Sequence, residues 1–191
     1  MKDSELYDIF NGISLSEEDL ALIGKSLKGI ELRKGDLLLR MGQTVLNTWY
    51  VAEGCLRSYF VDDSGKDHTL QFGIQDWWIS DYTAIFSGGK AMMNIECIQD
   101  AVLYRLARKE MEQLYLDIPL LETFFRKKLE RRMEAFHRRT LGNLALPARE
   151  RYLSFIHTYP QIEQKVKNYH IASYLGITTE SLSRVRKEIA R

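Results

Sequence analysis

Residues 168–191 read NYHIASYLGITTESLSRVRKEIAR. Ile171, Ala172 and Leu175 share one face of a short helix. Gly176 stops that helix, because glycine enters the left-handed conformation at little cost. Thr178 then stands at an N-cap position, with Glu180 in the first turn, where the helix dipole favours an acid. Leu182, Val185 and Ile189 recur at i, i+3 and i+7, the apolar stripe of a second helix. Two helices joined by a tight glycine turn form a helix-turn-helix, whose second helix can lie in a DNA major groove. Ala172 suits the close approach of the two helices.

At about 100° per residue, Glu180, Ser183, Arg184, Lys187 and Arg191 point away from the apolar stripe. Arg184 has the planar fork that bonds guanine O6 and N7, and Glu180 can accept from cytosine N4. Ser183, Lys187 and Arg191 suit phosphate. Thr179, at the helix start, can reach a base or a phosphate. Any amphipathic surface helix shows a charged stripe. The joint match of glycine, alanine and apolar positions across both helices favours the nucleic-acid reading.

The chain has 191 residues, 45% hydrophobic and 28% charged, an ordinary balance for a soluble globular protein. No apolar run reaches the roughly eighteen residues of a membrane span. The start, MKDSELYDIF, lacks a signal-peptide pattern, so a cytoplasmic protein is expected. Cys55 and Cys97 are too few for an iron–sulfur cluster or an all-cysteine zinc site, and read as buried thiols. The net charge of +1 hides an asymmetry. Residues 1–119 carry 12 basic and 19 acidic side chains, and residues 120–191 carry 15 basic and 7 acidic. An acidic first part joined to a basic second part fits nucleic-acid binding at one end.

Earlier in the chain, residues 3–28 read as helical, with Ser16 and the acids behind it as a helix start and Gly29 as its end. From Ile30 to Leu106, short apolar runs alternate with turn signals: KGD at 34–36, MGQ at 41–43, EGC at 53–55, DDSGKD at 62–67 and SGGK at 87–90. Strands are expected at 37–39, 48–51, 56–61, 69–72, 93–98 and 102–106. Many short strands with glycine turns mean a sandwich or small barrel. Pro119 opens a long helix from Leu120 to about Leu141. Phe125, Leu129, Met133 and Phe136 form a near-heptad seam on it, flanked by basic residues, and suggest a two-fold partner. The alternative packs the helix on its own barrel, and both can hold at different turns. Gly142 and Asn143 mark a hinge. A further helix, Ala148–Thr158, follows Pro147, with Tyr152, Phe155 and Ile156 facing a core, and ends at Tyr159-Pro160.

A glycine-punctuated β-roll, a long helix with a dimer seam and a C-terminal helix-turn-helix together resemble the Crp/Fnr family of bacterial transcription regulators. The resemblance covers nearly the whole chain. It is carried by Lys34-Gly35-Asp36, by Trp49-Tyr50-Val51-Ala52-Glu53-Gly54, and by Leu175-Gly176-Ile177-Thr178 with Ser181-Leu182-Ser183-Arg184. It implies an α+β protein: a double-stranded β-helix (jelly-roll) sensor domain at 1–118, a dimerisation helix at 119–142 and a winged-helix-like helix-turn-helix domain at 143–191. The trailing β-wing is not expected, since Arg191 falls near the end of the recognition helix. The resemblance also implies a homodimer on a near-palindromic site in double-stranded DNA, with Thr179, Glu180 and Arg184 as base readers, and RNA polymerase as a further partner.

The sensor stretch departs from the cyclic-nucleotide pattern of a Gly-Glu-Leu phrase, a short helix and an arginine beside a small residue. Here it reads Asp76-Trp77-Trp78-Ile79-Ser80-Asp81-Tyr82. Asp81 stands near the place of the glutamate, and Lys90-Ala91-Met92 near that of the arginine. Lysine does not replace a bidentate phosphate donor. Weak or no cyclic-AMP binding is therefore expected, with no cofactor and an unnamed effector. Trp77, Trp78, Asp81, Tyr82 and Lys90 are the candidate lining of a different pocket, or the aromatics fill the roll.

Three other readings compete. One is a cyclic-nucleotide-responsive regulator with a non-standard pocket. Another is a nucleotide-binding module that acts through protein contacts. The third is a cupin-like metal enzyme, which needs a cluster of histidines and carboxylates. Only His68 of the four histidines lies in the β region, and no nucleophile or Walker motif occurs. A non-enzyme is expected.

Overall fold

The computed structural model describes residues 3–163 and 165–190. In chain order its elements are α1 (Asp3–Ile9), α2 (Glu17–Ser26), β1 (Lys28–Leu32), β2 (Leu37–Leu39), β3 (Asn47–Glu53), β4 (Cys55–Val61), β5 (Asp67–Ile74) and β6 (Trp77–Ile79). There follow α3 (Tyr82–Ser87), β7 (Asn94–Cys97), β8 (Ala101–Ala107), α4 (Arg108–Asp117), α5 (Pro119–Ala145), α6 (Ala148–Thr158), α7 (Asn168–Leu175) and α8 (Thr179–Ile189). The chain forms two compact units. One holds the residues up to Ser58 together with Phe72–Leu129, and the other holds Tyr59–Gln71 together with the residues from Glu130 on.

The strands form two four-stranded sheets, ordered β1-β8-β3-β6 and β2-β7-β4-β5, which belong to the first unit except for the hairpin end of β4 and β5 within Tyr59–Gln71. The period-2 alternation of a strand decides which residues meet. On β3, Trp49 and Val51 turn inward and join Leu39, Leu56, Ile79, Ile95, Cys97 and Leu103 in a core between the sheets. Tyr50, between them, turns outward and joins Trp78 and Leu106 under α1, α2, α4 and the start of α5. The pairing Tyr50↔Trp78 and Val51↔Trp77 puts the two adjacent tryptophans on opposite faces of one sheet. Gly54 makes the β3–β4 turn at φ 91°, and an added Cβ would fall on the Asp100 carbonyl oxygen. Only glycine fits there.

Ser16 caps α2 through a capping box: its hydroxyl accepts from Asp19 N, and the Asp19 carboxylate accepts from Ser16 N. The sandwich, the long helix and the C-terminal helices agree with the sequence expectation, while helices α3 and α4 were not expected and further details differ. The helical reading of 3–28 resolves into two helices, and Gly29 lies inside β1 rather than ending a helix. Strands β1 and β6 were hidden, because they are only five and three residues long. Helix α5 runs through Gly142 and Asn143 to Ala145, so the expected hinge is helical. Phe125 of the expected seam is only 8% exposed and packs edge-on against Trp78 and Phe124 in the chain's own core.

In the second unit, α6, α7 and α8 close on Tyr152, Phe155, Ile171, Ala172, Leu175, Leu182 and Val185. The tip of the β4–β5 hairpin belongs to the same unit. The Ser173 hydroxyl of α7 donates to Asp67 O at 2.8 Å and accepts from Thr69 N at 2.9 Å, so one side chain satisfies two backbone groups of β5. Among the described residues no helix is long and apolar enough to cross a membrane.

Candidate nucleic-acid interface and sensor pocket

The turn between α7 and α8 is a Schellman closure. Gly176 adopts φ 65°, ψ 35°, its N–H donates to Ser173 O at 3.2 Å, and Ile177 N donates to Ala172 O at 3.0 Å. Thr178 then caps α8, its hydroxyl accepting from Ser181 N at 3.2 Å. These two local devices fix how the chain leaves one helix and enters the next. Leu182 and Val185 bury the inner stripe of α8.

Thr179, Glu180, Ser183, Arg184 and Lys187 all lie exposed on the outer side of α8, so the structure gathers these five on one surface. Arg191 lies outside the described residues. The Glu180 carboxyl is held below the usual carboxylate range, first by its own backbone N–H at the helix start, then by the Thr178 and Thr179 hydroxyls and the nearby Arg184 charge. At neutral pH it is therefore an acceptor facing solvent. Arg184 makes one 3.3 Å bond to Ser181 Oγ and otherwise projects outward. A fork-shaped cation beside an ionised acceptor can read opposite base types in a groove edge.

Arg186, one position from Lys187, behaves differently. Its Nη2 meets Glu163 Oε1 at 2.7 Å, its Nη1 donates to Asn168 Oδ1 at 2.7 Å, and its Nε donates to Tyr152 Oη at 3.2 Å. Tyr152 in turn donates to Glu163 Oε1 at 2.7 Å. Burial and that bond raise the Tyr152 phenol above its ordinary value, with Arg186 opposing, so it stays a donor. The sequence signal for this group was the i, i+4 spacing from Leu182, which sets Arg186 at the border of the buried stripe.

On α5, Met133 and Phe136 are 56% and 54% exposed, and Leu129 is half-buried. With Thr140, also exposed, they continue a line at steps of four, three and four residues beyond the part of the helix that Phe125 anchors in the core.

The candidate pocket residues do not all share one face, since the two tryptophans lie on opposite sides of their sheet. Trp78 faces the helical side of its sheet, against Phe10 and Phe125. Trp77, half-buried, takes the opposite face by alternation. Asp81 is wholly buried. Its Oδ1 accepts from Ala84 N at 3.0 Å as the N-cap of α3, and its Oδ2 accepts from Met92 N at 2.7 Å. Tyr82 packs on the inter-sheet core and lies 3.5 Å from the Thr48 hydroxyl. Lys90 is exposed and donates to Thr44 Oγ1 at 2.8 Å. Sequence reading missed Arg57, a buried cation whose Nε and Nη2 both reach Glu96 Oε1, at 3.0 and 2.8 Å. His68 pairs with Asp62 at 2.7 Å and stacks on Phe60 at the hairpin tip. Among the described residues no three His, Cys, Asp or Glu side chains gather as a metal site.

Residues 30–117 match the cyclic nucleotide-binding domain family. The chain is 21% identical over 196 residues to the transcriptional activator protein Anr of Pseudomonas protegens, covering 96% of this chain and 80% of that protein. In structure it is similar to FixK2 from Bradyrhizobium japonicum, with a TM-score of 0.76 and 17% identity over 86% of this chain and 84% of that one. It is also similar to a CRP/FNR family transcriptional regulator from Thermus thermophilus, with a TM-score of 0.70 and 19% identity over 86% of each chain. The chain is thus similar in sequence to the Anr activator and shares the fold of the Crp/Fnr regulators, and its residues 30–117 match the cyclic nucleotide-binding domain family.

Proposed function

We propose that this chain is a dimeric, sequence-specific DNA-binding transcription regulator that works in the cytoplasm and catalyses no reaction. The observation that carries the reading is the outer side of α8, where Glu180, Ser183, Arg184 and Lys187 stand exposed above a buried Leu182–Val185 stripe on a closed helix-turn-helix turn. The homologue's name, a transcriptional activator, supports it. Thr179, Glu180 and Arg184 read bases, and Ser183 and Lys187 hold phosphates. Two copies pair along the Met133–Phe136 line of α5, which sets two α8 helices about 34 Å apart on a near-palindrome. RNA polymerase is the natural further partner of an activator.

The sensor domain does not take cyclic AMP in this reading. Both Asp81 oxygens already accept backbone N–H groups, and Lys90, exposed on Thr44, offers a point charge where a bidentate donor is needed. The test is selection of duplexes from a random pool, followed by competition at fixed salt. Arg184→Ala should cost roughly 1–3 kcal/mol on the selected duplex and relax one base position. Unchanged affinity and sequence preference would remove the central claim. Calorimetric titration with cyclic AMP and cyclic GMP tests the sensor. Micromolar binding of either would favour a nucleotide switch built on a non-standard pocket.

A further inference from the structure

We propose that Arg186 is the positioning residue of the reading helix: it contacts no DNA, and its fork sets the angle at which α8 presents Glu180, Ser183 and Arg184. The inference rests on the DNA-binding reading above and concerns the same surface.

The three partners of Arg186 come from different parts of the unit. Tyr152 belongs to α6, Glu163 to the segment between α6 and α7, and Asn168 to the first turn of α7. Arg186 is the α8 member and bonds all three. Three of its five N–H donors, one on each nitrogen, already have acceptors, so the fork as a whole is engaged within the unit and cannot turn a bidentate face to a phosphate without breaking one of these bonds. The guanidinium is rigid and planar, and three fixed acceptors leave it a single orientation. The buried Leu182–Val185 stripe sets which side of α8 faces out, but apolar packing is non-directional and holds the exact rotation and tilt less tightly than bonds to fixed acceptors. Directional bonds to three elements supply that constraint. The consequence falls on base recognition, since base contacts tolerate far less displacement than phosphate contacts.

A surface arginine beside Lys187 would ordinarily be taken for a phosphate contact, and the two accounts give opposite results. The assay is binding of a duplex selected by the wild-type protein and of a scrambled duplex, each over a series of salt concentrations. If Arg186 positions the helix, Arg186→Gln weakens the selected duplex by about tenfold, the order of one lost base contact, and leaves the scrambled duplex and the salt slope unchanged. Arg186→Lys keeps the charge but not the fork and does not rescue. Glu163→Ala is the sharper variant. Removing an acid near DNA should tighten binding on charge alone, yet positioning requires weaker binding of the selected duplex only. The double variant should be no worse than either single change, because all act through one group.

The proposal is overturned if Arg186→Gln weakens both duplexes alike and lowers the salt slope by about one, which is a phosphate contact. It is equally overturned if thermal stability falls while the ratio of selected to scrambled affinity stays at the wild-type value. Should Arg186→Gln fail to fold, Glu163→Ala and Arg186→Lys carry the same test. A wild-type protein that enriches no sequence refutes DNA reading itself, a result separate from any of these.

Discussion

Replacing Asp81 by alanine removes one carboxylate and strands two backbone donors inside the first unit. Oδ1 caps α3 through Ala84 N, and the loss of such a cap costs about 1 kcal/mol. Oδ2, on a side chain fully shielded from water, accepts from Met92 N at 2.7 Å, eleven residues on, in a part-buried bond. A buried N–H left without its charged acceptor costs about 1–3 kcal/mol. Together the change should destabilise the unit by roughly 3 kcal/mol. At about 2–4 °C per kcal/mol for a chain of this size, that is a fall of roughly 6–12 °C in the melting temperature. The three tryptophans, Trp49, Trp77 and Trp78, all lie in the first unit, so their fluorescence in a denaturant titration reports it selectively. Asp81→Asn should fall between the two, since its amide keeps one acceptor but turns a donor toward one of the two N–H groups. A midpoint for Asp81→Ala within about 0.5 kcal/mol of wild type would refute the reasoning. It would mean that water or backbone adjustment satisfies both groups and that the carboxylate is free to meet a ligand.

Lys187→Ala should weaken selected and scrambled duplexes about equally and reduce the salt slope by about one, which a salt series of binding titrations reads directly. Met133→Asp puts a charge on the exposed line of α5 and should give monomers with weak DNA binding; sedimentation that still shows intact dimers would contradict the pairing. Gly54→Ala forces a Cβ onto the Asp100 carbonyl oxygen and to 2.7 Å from Ala101 Cα at a left-handed φ, so a loss of roughly 3 kcal/mol or more should appear in the same fluorescence titration.

The helix-turn-helix was legible because its signals are local. A glycine stop, a threonine cap and stripes at i, i+3 and i+7 act within one or two helical turns, and the chain around them has little other choice. The same holds for Ser16 at α2 and for the glycine turns of the roll. Contacts between residues far apart in sequence were not legible. Nothing within a heptad distinguishes Phe125 from Met133, and only the arrival of Phe10, Trp78 and Tyr115 makes the first a core residue and leaves the second exposed.

By itself, then, the sequence determined the succession of a strand-rich first part, a long helix and a helix-turn-helix, the turn that joins α7 to α8 and the side of α8 that faces out. Tertiary structure decided what those residues do with their remaining valences. Asp81, a candidate pocket acid in the sequence, has its two oxygens on Ala84 N and Met92 N, and Arg186, which the sequence did not single out, gathers Tyr152, Glu163 and Asn168. The physical reason is one of range. Capping and periodicity are set by backbone geometry over a few residues, whereas the partner of a buried charge is set by whichever distant segment packing delivers to it.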